Sequence, residues 1–151
     1  MITDADIFYM REALKEAEAA AADDEVPVGA IMVRDGEIIA RARNRREKDK
    51  NPLSHAEIKI INDTSLALCG WRLTRCTLYV TLEPCPMCAG AIVNSRIERV
   101  VFGAYDDKAG AFGTMLNLTD YPLFKPVIEG GVLKDECASM LSDFFKKKRN
   151  K

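Results

Sequence analysis

A chain of 151 residues, 48% hydrophobic and 30% charged, can bury roughly two thirds of its unfolded surface and needs no disulfide staples to fold. Those fractions exclude a disordered or fibrous chain, and no apolar run approaches the roughly 20 residues of a membrane span. A net charge of −1 excludes a protein that coats nucleic acid indiscriminately, because such proteins carry a large basic excess.

The length predicts one domain over residues 1–151. Its opening, MITDADIFYM, is acidic and lacks the basic-then-apolar pattern of a secretory signal, which predicts a cytoplasmic location. Five cysteines are then expected to be reduced and available for metal or catalysis. Thr3 is placed to cap a first helix in which Ile7, Met10, Leu14 and Ala17 recur at helical spacing, ending near Asp23. Val28 to Val33 and Glu37 to Ala42 read as a hairpin about Asp35-Gly36. Asn51-Pro52 marks a turn before a helix starting near Ser54. A buried-type strand (Thr77 to Thr81), a helix (Pro84 to Asn94) and a second strand (Arg99 to Gly103) follow. Residues 104–125 read as loop with a short helix at Met115 to Leu118, followed by a short strand at Val127 to Glu129. Met140, Leu141, Phe144 and Phe145 give the last helix, Lys134 to Lys148, an apolar face. Strands alternating with helices after an opening hairpin predict an α/β layered domain with a mixed sheet.

Chemistry concentrates in two places. His55-Ala56-Glu57 opens the second helix and Pro84-Cys85-Pro86-Met87-Cys88 opens the third. A Cys-x-x-Cys pair entering a helix can grip one metal ion with both sulfurs, and the helix N-terminus favours the thiolates it needs. By itself the pair also fits a redox dithiol or half of a structural zinc site. His55 is the only histidine in the chain, and one imidazole with two thiolates suits Zn²⁺. Cys69, Cys76 and Cys137 could add a ligand, but none is paired at chelating spacing, and they read as small packing residues. Three ligands leave a position open for water, whose pKa zinc lowers towards 7. Glu57, two residues beyond His55, is then within reach to carry that proton. Ser54-x-x-Glu57 also matches a capping box, which would turn the carboxylate back onto its own helix. With His55 and the cysteine pair in the same chain, Glu57 reads as the general base.

His-x-Glu followed by Pro-Cys-x-x-Cys is the signature of zinc deaminases that act on nucleobases. Around it the chain resembles the bacterial tRNA-specific adenosine deaminases of the cytidine deaminase-like superfamily. The likeness runs through EVPVGA (Glu25 to Ala30), Asn44-Arg45, HAE (His55 to Glu57) and GWRL (Gly70 to Leu73). It continues through TLYVTLEPCPMCAGAIV (Thr77 to Val93), SRIERVVFGA (Ser95 to Ala104) and GVLKDECASMLSDFFKKKR (Gly131 to Arg149). The resemblance implies a three-layer α/β/α sandwich with a five-stranded mixed sheet, and a homodimer. It implies one zinc per chain on His55, Cys85 and Cys88, with hydroxide on that zinc attacking C6 of the wobble adenosine of an arginine tRNA and Glu57 shuttling the proton. It further implies that Asn44 hydrogen-bonds the flipped purine and that Asp106 lies near the target nucleotide's ribose or backbone. Pro27, Val28, Ala56, Leu82 and Pro84 would line its pocket.

Positions 41–50 hold six of the 22 basic residues and positions 146–151 hold five more. Both could be solvated surface. Against a tRNA anticodon stem-loop they supply phosphate contacts, and Arg45, Arg46, Lys146, Lys147, Lys148 and Arg149 are the candidates. The chain departs from the resemblance at Leu123-Phe124-Lys125-Pro126, where members of that family carry Asn-His-Arg. That departure keeps a second reading in play, deamination of a free nucleobase or nucleoside on the same fold. A non-enzymatic module with a structural zinc or a redox dithiol is the third. The apolar residues Ile92, Val93, Ile97 and Val101 read either as core or as a dimer face.

Overall fold

A computed structural model describes residues 1–150. Its first helix, α1 (Asp4–Ala22), is capped as expected by Thr3, in a closed capping box with Asp6. Met10, Leu14 and Ala17 are buried along it, but Ile7 lies at the surface. Asp6 takes the buried position at that end, because its carboxylate meets a paired guanidinium on Arg99 at 2.8 and 2.9 Å and the Tyr79 hydroxyl at 2.7 Å. A charge that would be costly to bury alone is thereby fully partnered.

The hairpin β1 (Gly29–Arg34) and β2 (Glu37–Arg43) turns at Asp35-Gly36. Both turn residues have positive φ, 51° and 78°, as a twist-matched two-residue turn requires. A four-residue helix, α2 (Arg46–Asp49), follows where no helix was expected. Then come α3 (Ala56–Ala67), β3 (Cys76–Leu82), α4 (Pro86–Asn94) and β4 (Arg99–Ala104). The short helix expected at Met115 to Leu118 lies later, as a 3-10 turn over Leu118–Asp120, because Asn117 supplies its cap by accepting from Thr119 N–H. β5 (Val127–Gly130) and α5 (Lys134–Arg149) complete the chain.

The five strands form one mixed sheet in the order β2-β1-β3-β4-β5. β1 is antiparallel to β2 and β3, while β3, β4 and β5 run parallel. Alternate strand residues face opposite sides, and each side carries its own core. Ile31, Val33, Tyr79 and Val101 pack on Met10, Ala13 and Leu14 of α1 and on Cys137 of α5. Met32, Leu78, Val80, Val100 and Phe102 pack on Ala56 and Ile60 of α3 and on Ala89, Ile92 and Val93 of α4. This is the three-layer α/β/α arrangement expected. Ile92, Val93, Ile97 and Val101 are all buried inside it, so they are core and not a dimer face. Cys76 and Cys137 are buried packing residues as expected, whereas Cys69 is exposed on a left-handed turn with φ of 54°. Of the apolar face expected on α5, Met140, Leu141 and Phe144 are half-buried and Phe145 is exposed; only Cys137 of that helix is fully buried. No helix among the described residues is long and apolar enough to cross a membrane.

Candidate metal centre and cavity

Two helix N-termini converge where β3 ends. His55 is the N-cap of α3 and Cys85 the N-cap of α4, with Pro86 in its first turn and Cys88 one turn in. Both N-caps have extended backbone, which aims their side chains across the gap between the helices. His55 Nδ1 lies 3.7 Å from Cys85 Sγ and 3.5 Å from Cys88 Sγ, and the three ligand atoms lie within 4.8 Å of one another. Tetrahedral zinc with ordinary Zn–N and Zn–S bonds would space such atoms about 3.6 Å apart, so the donor set fits that ion in type and in spacing.

The titration of the cluster points the same way. The Cys88 thiol donates towards Cys85, which, with His55 beside it, pulls the Cys85 thiol down to about 4. The Cys85 sulfur and burial hold Cys88 far above the usual thiol range. A cation bound by both sulfurs would displace the Cys88 proton. The Cys85 sulfur also raises the His55 imidazole above its ordinary value.

Glu57 does not form the capping box with Ser54. Helix α3 starts at Ala56 and has no side-chain cap. The Glu57 carboxylate is instead buried at 3% exposure, and its Oε1 has no hydrogen-bond partner. Burial, reinforced by the negative Cys85, pushes its pKa up to about 7. An acid held there, with an unsatisfied oxygen inside the site, can take and return a proton near neutral pH.

A cavity of about 200 Å³ opens over this cluster. Of the residues proposed from sequence, Asn44, Val28, Ala56, Leu82 and Asp106 line it with His55, Glu57 and Cys85. Pro27 and Pro84 do not. Both are buried behind the wall. Pro27 alternates with Val26 and Val28, which do face the cavity, and the Pro84 carbonyl accepts from Ala111 N–H at 2.9 Å. Asn44 Nδ2 donates to the Val26 carbonyl at 3.2 Å and its Oδ1 accepts from Arg46 N–H at 3.3 Å. An amide has two N–H donors, so one stays available to a bound molecule.

Arg46 lines the cavity and also a neighbouring groove of about 600 Å³, which shares Val26 and Asn44 with it. Phe144, Phe145 and Lys148 of α5 form the far side of that groove, which brings the basic tail to the cavity mouth. Lys148 pairs there with Asp24 at 2.6 Å. Lys146, Lys147 and Arg149 are exposed along the same helical turn. Arg45 is engaged with Asp49 at 3.2 Å and does not reach the cavity.

Sequence reasoning missed Val26, Glu83 and Ala109, all of which line the cavity. It also missed Glu25, a buried carboxylate that accepts from Glu47 N–H at 3.0 Å and Lys48 N–H at 2.8 Å and so anchors α2 beside Asn44. A signal was there for both glutamates. Glu83 stands within an otherwise uncharged run, TLYVTLEPCPMC, and Glu25 opens the apolar stretch VPVGA; a carboxylate buried at either place needs donors.

The match to known proteins follows the same outline. The family model for MafB19-like deaminase spans residues 4–149. A tRNA-specific adenosine deaminase of Bacillus subtilis (strain 168) is 53% identical over 148 residues, 97% of this chain and 92% of that protein. This chain belongs to the tRNA-specific adenosine deaminase family. The deaminase superposes with a TM-score of 0.86 on a structure from studies of A-to-I editing by tRNA:A34 deaminases at the wobble position of transfer RNA. That structure is 42% identical, and the match covers 89% of this chain and 99% of that one. A guanine deaminase of Bacillus subtilis is more distant, with 28% identity and a TM-score of 0.65 over 95% of this chain and 93% of its own. The five-stranded mixed sheet with its flanking helices is therefore the cytidine deaminase-like fold, and the chain is an enzyme of that family.

Proposed function

We propose that this deaminase converts adenosine to inosine at the wobble position of a tRNA anticodon, an arginine tRNA by the family resemblance. It would do so as one zinc-dependent domain over residues 1–151 that acts in the cytoplasm as a homodimer. The observation that carries the chemistry is the His55, Cys85 and Cys88 cluster beside the buried, unpartnered Oε1 of Glu57. Adenosine and water give inosine and ammonia. His55 Nδ1 and the two sulfurs would hold one zinc ion. When bound, that ion supplies Lewis-acid activation of water, bringing its pKa towards 7. Glu57 takes the water's proton on its free carboxylate oxygen, delivers it to the purine ring nitrogen, and then assists departure of the amino group. Asn44 offers its remaining N–H to the purine, Val28 and Leu82 pack against the ring, and Asp106 lies near the ribose or backbone of the target nucleotide. Arg46 and the α5 tail, Lys146 to Arg149, take the flanking phosphates, with Arg45 behind them.

Dimerisation would use a different surface from the one the sequence suggested. Met115, Leu116, Tyr121 and Leu123 are each about half exposed, at 60%, 53%, 55% and 48%. Tyr121 and Leu123 border a groove along the outer face of α4.

The departure at Leu123 to Pro126 favours a second reading, a free base as substrate. Phe124 of that stretch is half-buried, 5.9 Å beneath the Arg96 guanidinium, so it is not a ready replacement for an Asn-His pair. One assay separates the two. Inosine formation is measured on an arginine tRNA anticodon stem-loop with adenosine at the wobble position, beside ammonia release from guanine, adenine and adenosine, with zinc determined on the same sample. Turnover of the stem-loop with about one zinc per chain is expected. Turnover of a free base alone would overturn the RNA substrate, and full activity in a metal-free protein would overturn the metal.

A further inference from the structure

Residues 105–117, between β4 and the 3-10 turn, contain no helix or named strand, yet they form one wall of the cavity through Asp106 and Ala109. Beside the Ala111 N–H bond to the Pro84 carbonyl, one side chain holds this wall. Glu83 follows β3 and is 1% exposed. Its Oε1 accepts from Asp106 N–H at 3.2 Å and from the Thr114 hydroxyl at 2.5 Å. Its Oε2 accepts from Phe112 N–H at 3.1 Å and Thr114 N–H at 3.2 Å. A carboxylate offers about four acceptor sites, and this one spends all of them on a single loop. Among the described residues no lysine or arginine forms an ion pair with it. Gly110 closes the arrangement, because a Cβ there would run into the Glu83 carboxyl group.

We propose that Glu83 is a positioning residue for the reaction. Its carboxylate clamps the 106–114 loop and so sets where Asp106 and Ala109 meet the substrate. This rests on the reading of the cavity as the deamination site. Asp106 is held twice, by its backbone to Glu83 and by its Oδ1, which accepts from Lys108 N–H at 3.0 Å and Ala109 N–H at 3.1 Å. Releasing the first bond leaves a self-contained turn free to drift as a unit. A displaced turn loses its contact with bound substrate in the ground and transition states alike, which weakens binding and leaves the chemical step largely intact.

The donor pattern makes Glu83→Gln unusually informative. The amide oxygen will occupy the Oε2 position, because both donors there are backbone N–H groups that cannot reverse. The amide nitrogen then faces the Thr114 hydroxyl, which can turn and accept, and Asp106 N–H, which cannot. The substitution therefore releases Asp106 alone.

Amide hydrogen exchange is followed in Glu83→Gln and in the unaltered chain, alongside steady-state kinetics on the anticodon stem-loop and zinc content. Exchange at Asp106 should rise about tenfold while Phe112 and Thr114 stay protected, the size expected when one buried hydrogen bond is removed. KM should rise about tenfold with kcat within about threefold, the pattern of impaired binding geometry rather than impaired proton transfer. Zinc should be unchanged. Gly110→Ala keeps the carboxylate and forces the loop off it, so it should raise KM in the same way and serves if the glutamine variant does not fold. Unchanged exchange at Asp106 overturns the clamp. Released Asp106 with unchanged KM, or a fall confined to kcat, overturns the positioning role. An unaltered chain that ignores the stem-loop while Asp106 still responds overturns the substrate reading and leaves the clamp standing.

Discussion

Glu57 shows how much one side chain's surroundings decide. Two residues beyond a helix-opening histidine, it could cap its own helix or face the metal cluster. The fold starts α3 at Ala56 and leaves Oε1 buried without a partner. Such an atom costs stability, and a proton-transfer role would account for its being kept. In Glu57→Gln the shape is kept and the ionisable carboxyl proposed to carry the proton is removed. With His55, Cys85 and Cys88 intact, zinc content should stay near one per chain. The rate should fall at least about 100-fold, the lower range for general acid–base groups. Single-turnover deamination with metal analysis on the same sample checks both, and retained turnover in the zinc-replete variant would count against the mechanism. The candidate ligands His55, Cys85 and Cys88 are legible because their spacing is short in sequence within each motif. The neighbours that line the cavity are not, since Val26, Glu83 and Ala109 come from three separate segments.

Among the elements, α1 is fastened to the sheet by a polar knot as well as by its apolar stripe. Asp6 joins the capping box of α1 to Arg99 on β4 and Tyr79 on β3. Arg99, ahead of the Tyr79 hydroxyl and the Thr3 N–H, holds the Asp6 carboxyl well below its ordinary value against the opposing effect of burial. A carboxylate lowered in the folded state adds stability above its unfolded value, about pH 3.9, and loses it as pH falls further towards the folded one. Asp6→Asn should therefore destabilise the chain by about 2 kcal/mol at pH 7, because it removes the charged, doubly bonded partner of Arg99, whose guanidinium then keeps only Glu129 at 3.4 Å. The gap to wild type should shrink on acidification below about pH 4. Urea melts at the two pH values measure this, and a gap that persists unchanged at low pH would show that the charge is not what matters. Thr3 as a cap is readable from local sequence. The knot is not, because Asp6 and Arg99 lie 93 residues apart.

At the scale of the molecule, an overall charge of −1 hides an uneven surface. The last turn of α5 carries Lys146, Lys147, Lys148 and Arg149, and Lys148 reaches the groove that adjoins the cavity at Arg46 and Asn44. Binding of an RNA stem-loop releases counterions, so its KM should climb steeply with salt, whereas a free nucleoside should hardly respond. Each neutralised phosphate adds roughly 0.7 to 0.9 to the slope of log KM against log salt. Replacing Lys146, Lys147 and Arg149 by Gln should therefore flatten that slope by about two. kcat should stay close to its original value. Inosine formation at several salt concentrations reads the slope, and an unaltered one would remove the tail from the RNA interface.

Much of this protein is written in short-range sequence signals. Apolar periodicity, turn residues and helix caps determine the main strands and helices, because those signals act over a few residues. The candidate metal ligands and Glu57 are readable in the same way because each of their two motifs is local, whereas the meeting of His55 with Cys85 across 30 residues is made by the fold. The tertiary structure alone decides which side of Val26-Pro27-Val28 faces the cavity, that Ile92 and Val101 are core, and that Asp6 outranks Ile7 for a buried place. It alone also sets Glu83 beneath the 106–114 loop. Each of those choices turns on a partner distant in sequence, and no short-range rule can rank burial against hydrogen bonding until that partner has arrived.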